Sequence, residues 1–212
     1  ETFSLPMYLT EKIEVVYGNN LLNKKRVDIE AERSQGIVQQ GFGLERVSQS
    51  FDDFDIYDST YMILNKPFVS PLAEFGYGVY LYVLNDTIQV DDRKFYQIHF
   101  FPRDDQDLAL EGKFEVDAKT FIVKSIQMRT TAKTNINLVR GLSFEKYFTI
   151  ANDSIYLPER EIQEGDFTLF TKKDEEKGLY IRNYITYSNI ELNKPLPDTF
   201  YEQQVVKIAK NQ

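Results

Sequence analysis

The 212-residue chain has no cysteine, no tryptophan and a single histidine. The absence of cysteine removes disulfides, thiol catalysis and thiolate metal sites together. It does not fix the compartment, because a globule of this length buries roughly 70% of its unfolded surface and needs no covalent staple. One histidine without cysteine also leaves zinc short of its preferred tetrahedral ligands. Glycine-rich phosphate loops are missing: Gly41-Phe42-Gly43 and Gly76-Tyr77-Gly78 are isolated Gly-x-Gly pairs, too short to cradle a nucleotide. No Gly-x-Ser-x-Gly elbow occurs. Basic residues are outnumbered 25 to 33, giving a net charge of −8, which argues against binding a phosphate backbone. The densest basic run, Lys24-Lys25-Arg26, is followed by Asp28, Glu30 and Glu32 and reads as a solvated face. No apolar run reaches the roughly 18 to 20 residues of a membrane-spanning helix. The chain opens Glu1-Thr2-Phe3 without a basic n-region or an apolar h-region, so it reads as a segment excised from a longer protein.

Phenylalanine and tyrosine are plentiful, at 16 and 14 residues. Both favour half-buried pleated surfaces, and the periodicity is that of strands. Tyr77 to Leu84 is apolar at every position but one, which predicts a strand buried on both faces or lining a second apolar compartment. In the next run Tyr96, Ile98 and Phe100 share one face, with Gln97, His99 and Phe101 on the other. Leu110 to Met128 predicts a hairpin turning at Ala118-Lys119. Pairing Asp117 with Thr120 sets Val116 opposite Phe121 and Phe114 opposite Val123. Ile126 and Met128 then fall out of parity with Val123, so either a bulge intervenes or the strand is apolar on both sides. Further strands are expected at Met7–Tyr17, Ile56–Leu64, Leu142–Ala151, Ile155–Ile162, Phe167–Thr171 and Leu179–Ser188, separated by Asn-Asp, Glu-Gly-Asp and Glu-Lys-Gly turns. Residues 25–34 fit either a strand or a polar helix. Ile37, Leu44, Val47 and Phe51 form a helical stripe, weakened by Gly41 and Gly43. Short helical turns are expected at Pro71–Phe75, at Asn137–Leu142 and in the tail Phe200–Ile208. With no linker or repeat, residues 1–212 read as a single domain.

Reactive chemistry is sparse. His99 sits in mid-strand among aromatics, with no nucleophile or carboxylate motif to make it a catalytic base. Asp52, Asp53 and Asp55, then Asp91 and Asp92, then Asp104, Asp105 and Asp107 lack the regular spacing of a calcium loop and read as solvated turns. Paired carboxylates for glycoside hydrolysis can lie far apart in a sequence, but nothing selects a pair. The expectation is a protein that is not an enzyme, with no cofactor, no metal and no catalytic residues.

Several strings carry a family resemblance. They are Asp55-Ile56-Tyr57-Asp58, Lys66-Pro67-Phe68-Val69-Ser70-Pro71-Leu72, Tyr96-Gln97-Ile98-His99-Phe100-Phe101-Pro102-Arg103, Leu110-Glu111-Gly112-Lys113-Phe114-Glu115-Val116-Asp117 and Asn135-Ile136-Asn137-Leu138-Val139. Together they resemble a domain of unknown function from large outer-membrane proteins of Gram-negative bacteria. There the domain lies between a carboxypeptidase-regulatory-like domain and a C-terminal membrane β-barrel. The run Phe114 to Thr120 is also similar, at the level of fold, to the half-barrels of periplasmic lipoprotein carriers, which hold acyl chains on an apolar concave face. These likenesses imply a mainly β fold with a few helices, a single curved antiparallel sheet or half-barrel wrapped on one or more short helices. They imply a periplasmic location at the outer membrane. The expected ligand is a lipid or lipoprotein acyl chain on an apolar face of Tyr80, Tyr82, Leu84, Tyr96, Ile98, Phe100, Phe114, Val116, Phe121 and Val123. The competing expectation is a structural spacer or docking domain serving an adjacent outer-membrane barrel or periplasmic proteins. Neither a nucleic-acid partner nor a transmembrane segment is expected. Pro67 and Pro71 read as devices that shape an irregular crossing.

Overall fold

The computed structural model describes residues 8–19, 21, 24–36, 51, 54–104, 107–134, 136–152, 155–169 and 177–202. They fall into two compact units, one formed from residues 1–42 and 191–212, the other from residues 43–190.

In the first unit β1 (Tyr8–Asn19) and β2 (Lys24–Gly36) form an antiparallel hairpin with a bulge between Ile13 and Glu14. Residues 25–34 are therefore strand, and the polar-helix alternative falls. A lone two-stranded hairpin is marginal in water, and this one is fastened to the tail of its own unit. Arg26 is buried, donates to Asp28 Oδ1 at 2.8 Å and to the Phe200 carbonyl at 2.8 Å, and stacks 4.4 Å from the Phe200 ring. Tyr17 meets the same ring edge-on at 4.8 Å. Phe200 belongs to a 3-10 turn, Asp198–Glu202. The rest of the helix expected over Phe200–Ile208 lies outside the described residues.

The second unit is built on one open seven-stranded antiparallel sheet of order β11-β10-β9-β8-β7-β6-β5. Its strands are β5 (Tyr80–Val90), β6 (Arg93–Pro102), β7 (Leu110–Asp117), β8 (Val123–Thr130), β9 (Val139–Asn152), β10 (Ile155–Leu169) and β11 (Lys177–Thr186). Consecutive strands are neighbours throughout, a meander whose parity keeps one face apolar. Upstream, β3 (Thr60–Ile63) and β4 (Lys66–Val69) make a small hairpin. Its tight turn uses Leu64 and Asn65 at positive φ. The strand expected over Ile56–Leu64 shortens to β3, because Ile56 to Ser59 form a turn.

Three expectations change here. The Glu164-Gly165-Asp166 turn is instead the middle of β10, where Gly165 pairs with Leu142 on one side and Ile181 on the other. A Cβ on Gly165 would stand 2.4 Å from the Phe167 ring and 2.8 Å from the Phe51 ring, so this glycine admits aromatics rather than making a turn. Pro71–Phe75 forms successive turns leading into the 3-10 turn Gly76–Gly78, and Ile136 to Val139 is one turn opening β9. Residues 37–50 of the proposed helical stripe lie outside the described residues, whereas Phe51 is buried in the core.

Candidate functional site

Directly opposed residues in an antiparallel ladder lie on the same face. The pairs Tyr82↔Phe100 and Leu84↔Ile98, then Tyr96↔Val116 and Ile98↔Phe114, then Val116↔Val123 place the expected apolar residues on one face of the sheet. Tyr80 joins them two positions before Tyr82. Phe121 does not. Asp117 accepts hydrogen bonds from the Lys119 and Thr120 amides at 2.7 and 3.0 Å and donates its own amide to Ile122. That carboxylate lengthens the turn, so Phe121 stands at φ 58 and is 69% exposed, off the sheet. Val116 therefore faces Val123, and Phe114 faces Ile126. The bulge anticipated from parity is present, since the register of β7 with β8 shifts between Glu115 and Val116.

This face is filled from within. Tyr80, Phe100, Phe114, Val116 and Val123 are buried in one cluster with Phe51, Ile56, Tyr61, Ile63 and Phe68. The segment from Phe54 to Val79 is fastened to the sheet by hydrogen bonds at several points. Tyr80 donates to the Val69 carbonyl at 2.6 Å, Tyr82 donates to the Pro71 carbonyl at 2.7 Å, and the Val123 amide donates to the Tyr57 hydroxyl at 3.1 Å. Within the segment the Tyr61 hydroxyl donates to the Ile56 carbonyl at 2.7 Å and meets buried Ser70 Oγ at 2.7 Å. Ser70 in turn accepts the Leu72 amide. Burial pushes the Tyr80 phenol up to about 12, partly opposed by the hydrogen bond from the Leu110 amide.

Tyr77 to Leu84 is neither buried on both faces nor lining a second closed compartment among the described residues. β5 is an edge strand, and beyond Tyr80 its apolar residues are exposed on both faces: Leu81, Tyr82, Val83 and Leu84, the last at 61%. An apolar run alone cannot distinguish a strand covered twice from one left open. Among the expected site residues that lie on this face, only Tyr82, Leu84 and the half-buried Tyr96 and Ile98 are reachable from outside.

Away from Leu81, Val83 and Phe101 the opposite face is polar. His99 lies there between Val83 and Lys113, its ring 6.3 Å from Phe101, with no side-chain hydrogen bond among the described residues. A shallow hollow of about 180 Å³ is lined by residues including Lys113, Glu115, Gln127, Tyr147 and Glu159. Gln127 donates to Glu145 and to the Tyr147 hydroxyl, and Tyr147 donates to Glu145 at 2.5 Å. Among the described residues no group of three His, Asp or Glu side chains could hold a metal ion.

Sequence reading missed a buried polar cluster on the core face. Lys146 Nζ lies 3.2 Å from Glu161 Oε2 and donates to the Phe54 carbonyl at 2.5 Å, 4.4 Å above the Phe54 ring. Tyr187 donates to Glu161 Oε1 at 2.6 Å. Beside them Gln163 is buried, and its Nε2 has no hydrogen-bond partner among the described residues. The signal was present in the alternation Leu142, Phe144, Lys146, Phe148, which turns Lys146 toward the core. The cluster ties Phe54, the start of the 54–79 segment, to the sheet, so it reads as an anchor.

The fold and its packed face define an open antiparallel β-sheet protein. Within that class, the model of a family of unknown function, DUF5686, matches residues 4–187, and the chain belongs to that family. No curated protein and no solved structure matches it. No helix among the described residues is long and apolar enough to cross a membrane.

Proposed function

We propose that this chain is a non-catalytic docking domain of an outer-membrane protein, facing the periplasm and holding its partner on outward-facing side chains rather than in an enclosed cavity. The observation that carries this reading is the filled core face: Phe54, Ile56, Tyr61, Ile63 and Phe68 occupy the space where an acyl chain would lie. The apolar residues that remain, including Leu81, Val83, Tyr180 and Tyr184, point outward, as contact residues must. The partner that the family resemblance favours is the membrane β-barrel of the same polypeptide. Deleting this segment from the full-length protein should lower the fraction of folded barrel, read as heat-modifiable mobility on a gel. Unchanged barrel folding together with unchanged co-purification would end this reading.

A lipid or lipidated chain is the second reading, favoured by the strip of Leu84, Ile98 and Tyr96 that the 54–79 segment leaves partly open. A charge at Leu84 should then abolish lipid recovery without altering barrel folding.

A further inference from the structure

We infer that the free edge of β5 is a self-association surface on which two copies of the chain pair β5 with β5, antiparallel, and continue one sheet into the next. The pairing would occupy Leu81, Val83 and Leu84, side chains that the docking and lipid readings also use, but its readout, the mass of the chain in solution, is separate from barrel folding and lipid recovery. Edge strands offer unpaired amides and carbonyls, and proteins blunt them with lysine, proline, short length or a covering segment. A bulge lies between Leu84 and Asp86 and Arg103 donates to the Tyr80 carbonyl, but the run itself lacks the usual blunting residues. Between Tyr80 and Val90 it has no Lys, Arg or Pro, and Asp86 is its one charge. No described strand pairs with its outer side. At the other end of the sheet β11 carries Lys177 and Arg182, and Arg182 is engaged by Glu164.

The run is also complementary to itself. A two-fold axis normal to the sheet, with Tyr82 opposite its own copy, sets Leu81 opposite Val83 and Tyr80 opposite Leu84. Asp86 falls opposite Gly78, so the two carboxylates stay apart. Leu81, Tyr82, Val83 and Leu84 each then meet an apolar side chain, and both faces of the joined sheet keep their polarity. Such a contact is isologous and closes at two copies, whereas β5 against β11 would be head-to-tail and open-ended. Each copy carries a net charge of −8, so added salt should strengthen the pairing by screening.

Sedimentation equilibrium of the 212-residue chain at about 100 µM should give the mass of two chains. Val83→Lys, a change at a side chain 52% exposed, should give one chain with an unchanged melting temperature, and Leu81→Lys serves if that variant misfolds. Tyr184→Lys, on the far edge, should leave the pair intact. Because the chain lacks cysteine, mixing Leu81→Cys with Val83→Cys should yield an oxidised cross-link far more abundant than either variant forms alone. A wild-type chain of single mass, or a pair unaffected by both lysine variants, overturns the inference. So does a single chain that captures a synthetic extended peptide, which would assign the edge to a foreign strand.

Discussion

At the scale of single residues, the fold rests on a few polar side chains held among aromatics. Asp117 is nearly fully buried; burial alone would raise its pKa, but hydrogen bonds from Tyr156, the Thr120 and Lys119 amides and Arg93 outweigh that and hold it below the usual carboxylate range. Its folded value lies below its unfolded one, near 3.9. The carboxylate therefore contributes stability above about pH 4 that is lost as the pH falls toward the folded value. Asp117→Asn should flatten the acid limb of a thermal-unfolding profile and cost about 1–3 kcal/mol at neutral pH. An unchanged acid limb would mean the carboxylate is not held this way. Tyr80 has the opposite sign. Its phenol is raised to about 12, so its contribution is complete below about pH 10 and declines as the pH climbs toward 12. Tyr80→Phe should lessen the alkaline loss while leaving the Leu110 amide without its acceptor. Lys146→Met strands Glu161 in the core and should cost about 3–5 kcal/mol, whereas Lys146→Met with Glu161→Leu should recover most of it. Chemical denaturation of the three proteins measures this directly. A single variant as stable as wild type would remove the anchor role.

At the scale of elements, four of the five strings that carry the family resemblance prove to hold fasteners. Tyr57 caps the start of β8, Ser70 joins Tyr61 to Leu72, Arg103 donates to the Tyr77 and Tyr80 carbonyls at 3.0 Å, and Asp117 shapes the β7–β8 turn. The strands and their inward faces were legible because alternation in β6 and β7 survives into the structure. Register was not, since Asp117 lengthens its turn by side-chain hydrogen bonds that a two-residue pattern does not contain. The Gly165 site was misread for a related reason: glycine signals a turn or a close approach, and only the Phe51 and Phe167 rings decide which. Gly112 poses the same question more sharply. A Cβ there would stand 2.0 Å from the Gln127 carbonyl oxygen and 2.9 Å from Met128 Cα, backbone atoms that cannot swing aside. Gly112→Ala should destabilise by about 2 kcal/mol or more through strand displacement, and native-state hydrogen exchange should show the loss concentrated in β7 and β8. Protection unchanged in those strands would contradict the close approach.

At the scale of the whole molecule, the expected site divides into a buried half and an open half. Sequence pattern placed Tyr80, Phe100, Phe114, Val116 and Val123 on one face, but it could not tell that the chain supplies its own filling from residues 54–79. Pattern reports which face is oily and says nothing about what covers it. The central claim is that the buried half of this face is closed from within and holds no lipid. Native mass spectrometry of the gently purified chain tests it most directly: the account predicts the bare polypeptide mass, in ones or twos, with no lipid adduct. A retained adduct of lipid mass that disappears when Phe100 or Phe114 is replaced by a charged residue, in a variant that still folds, would contradict it.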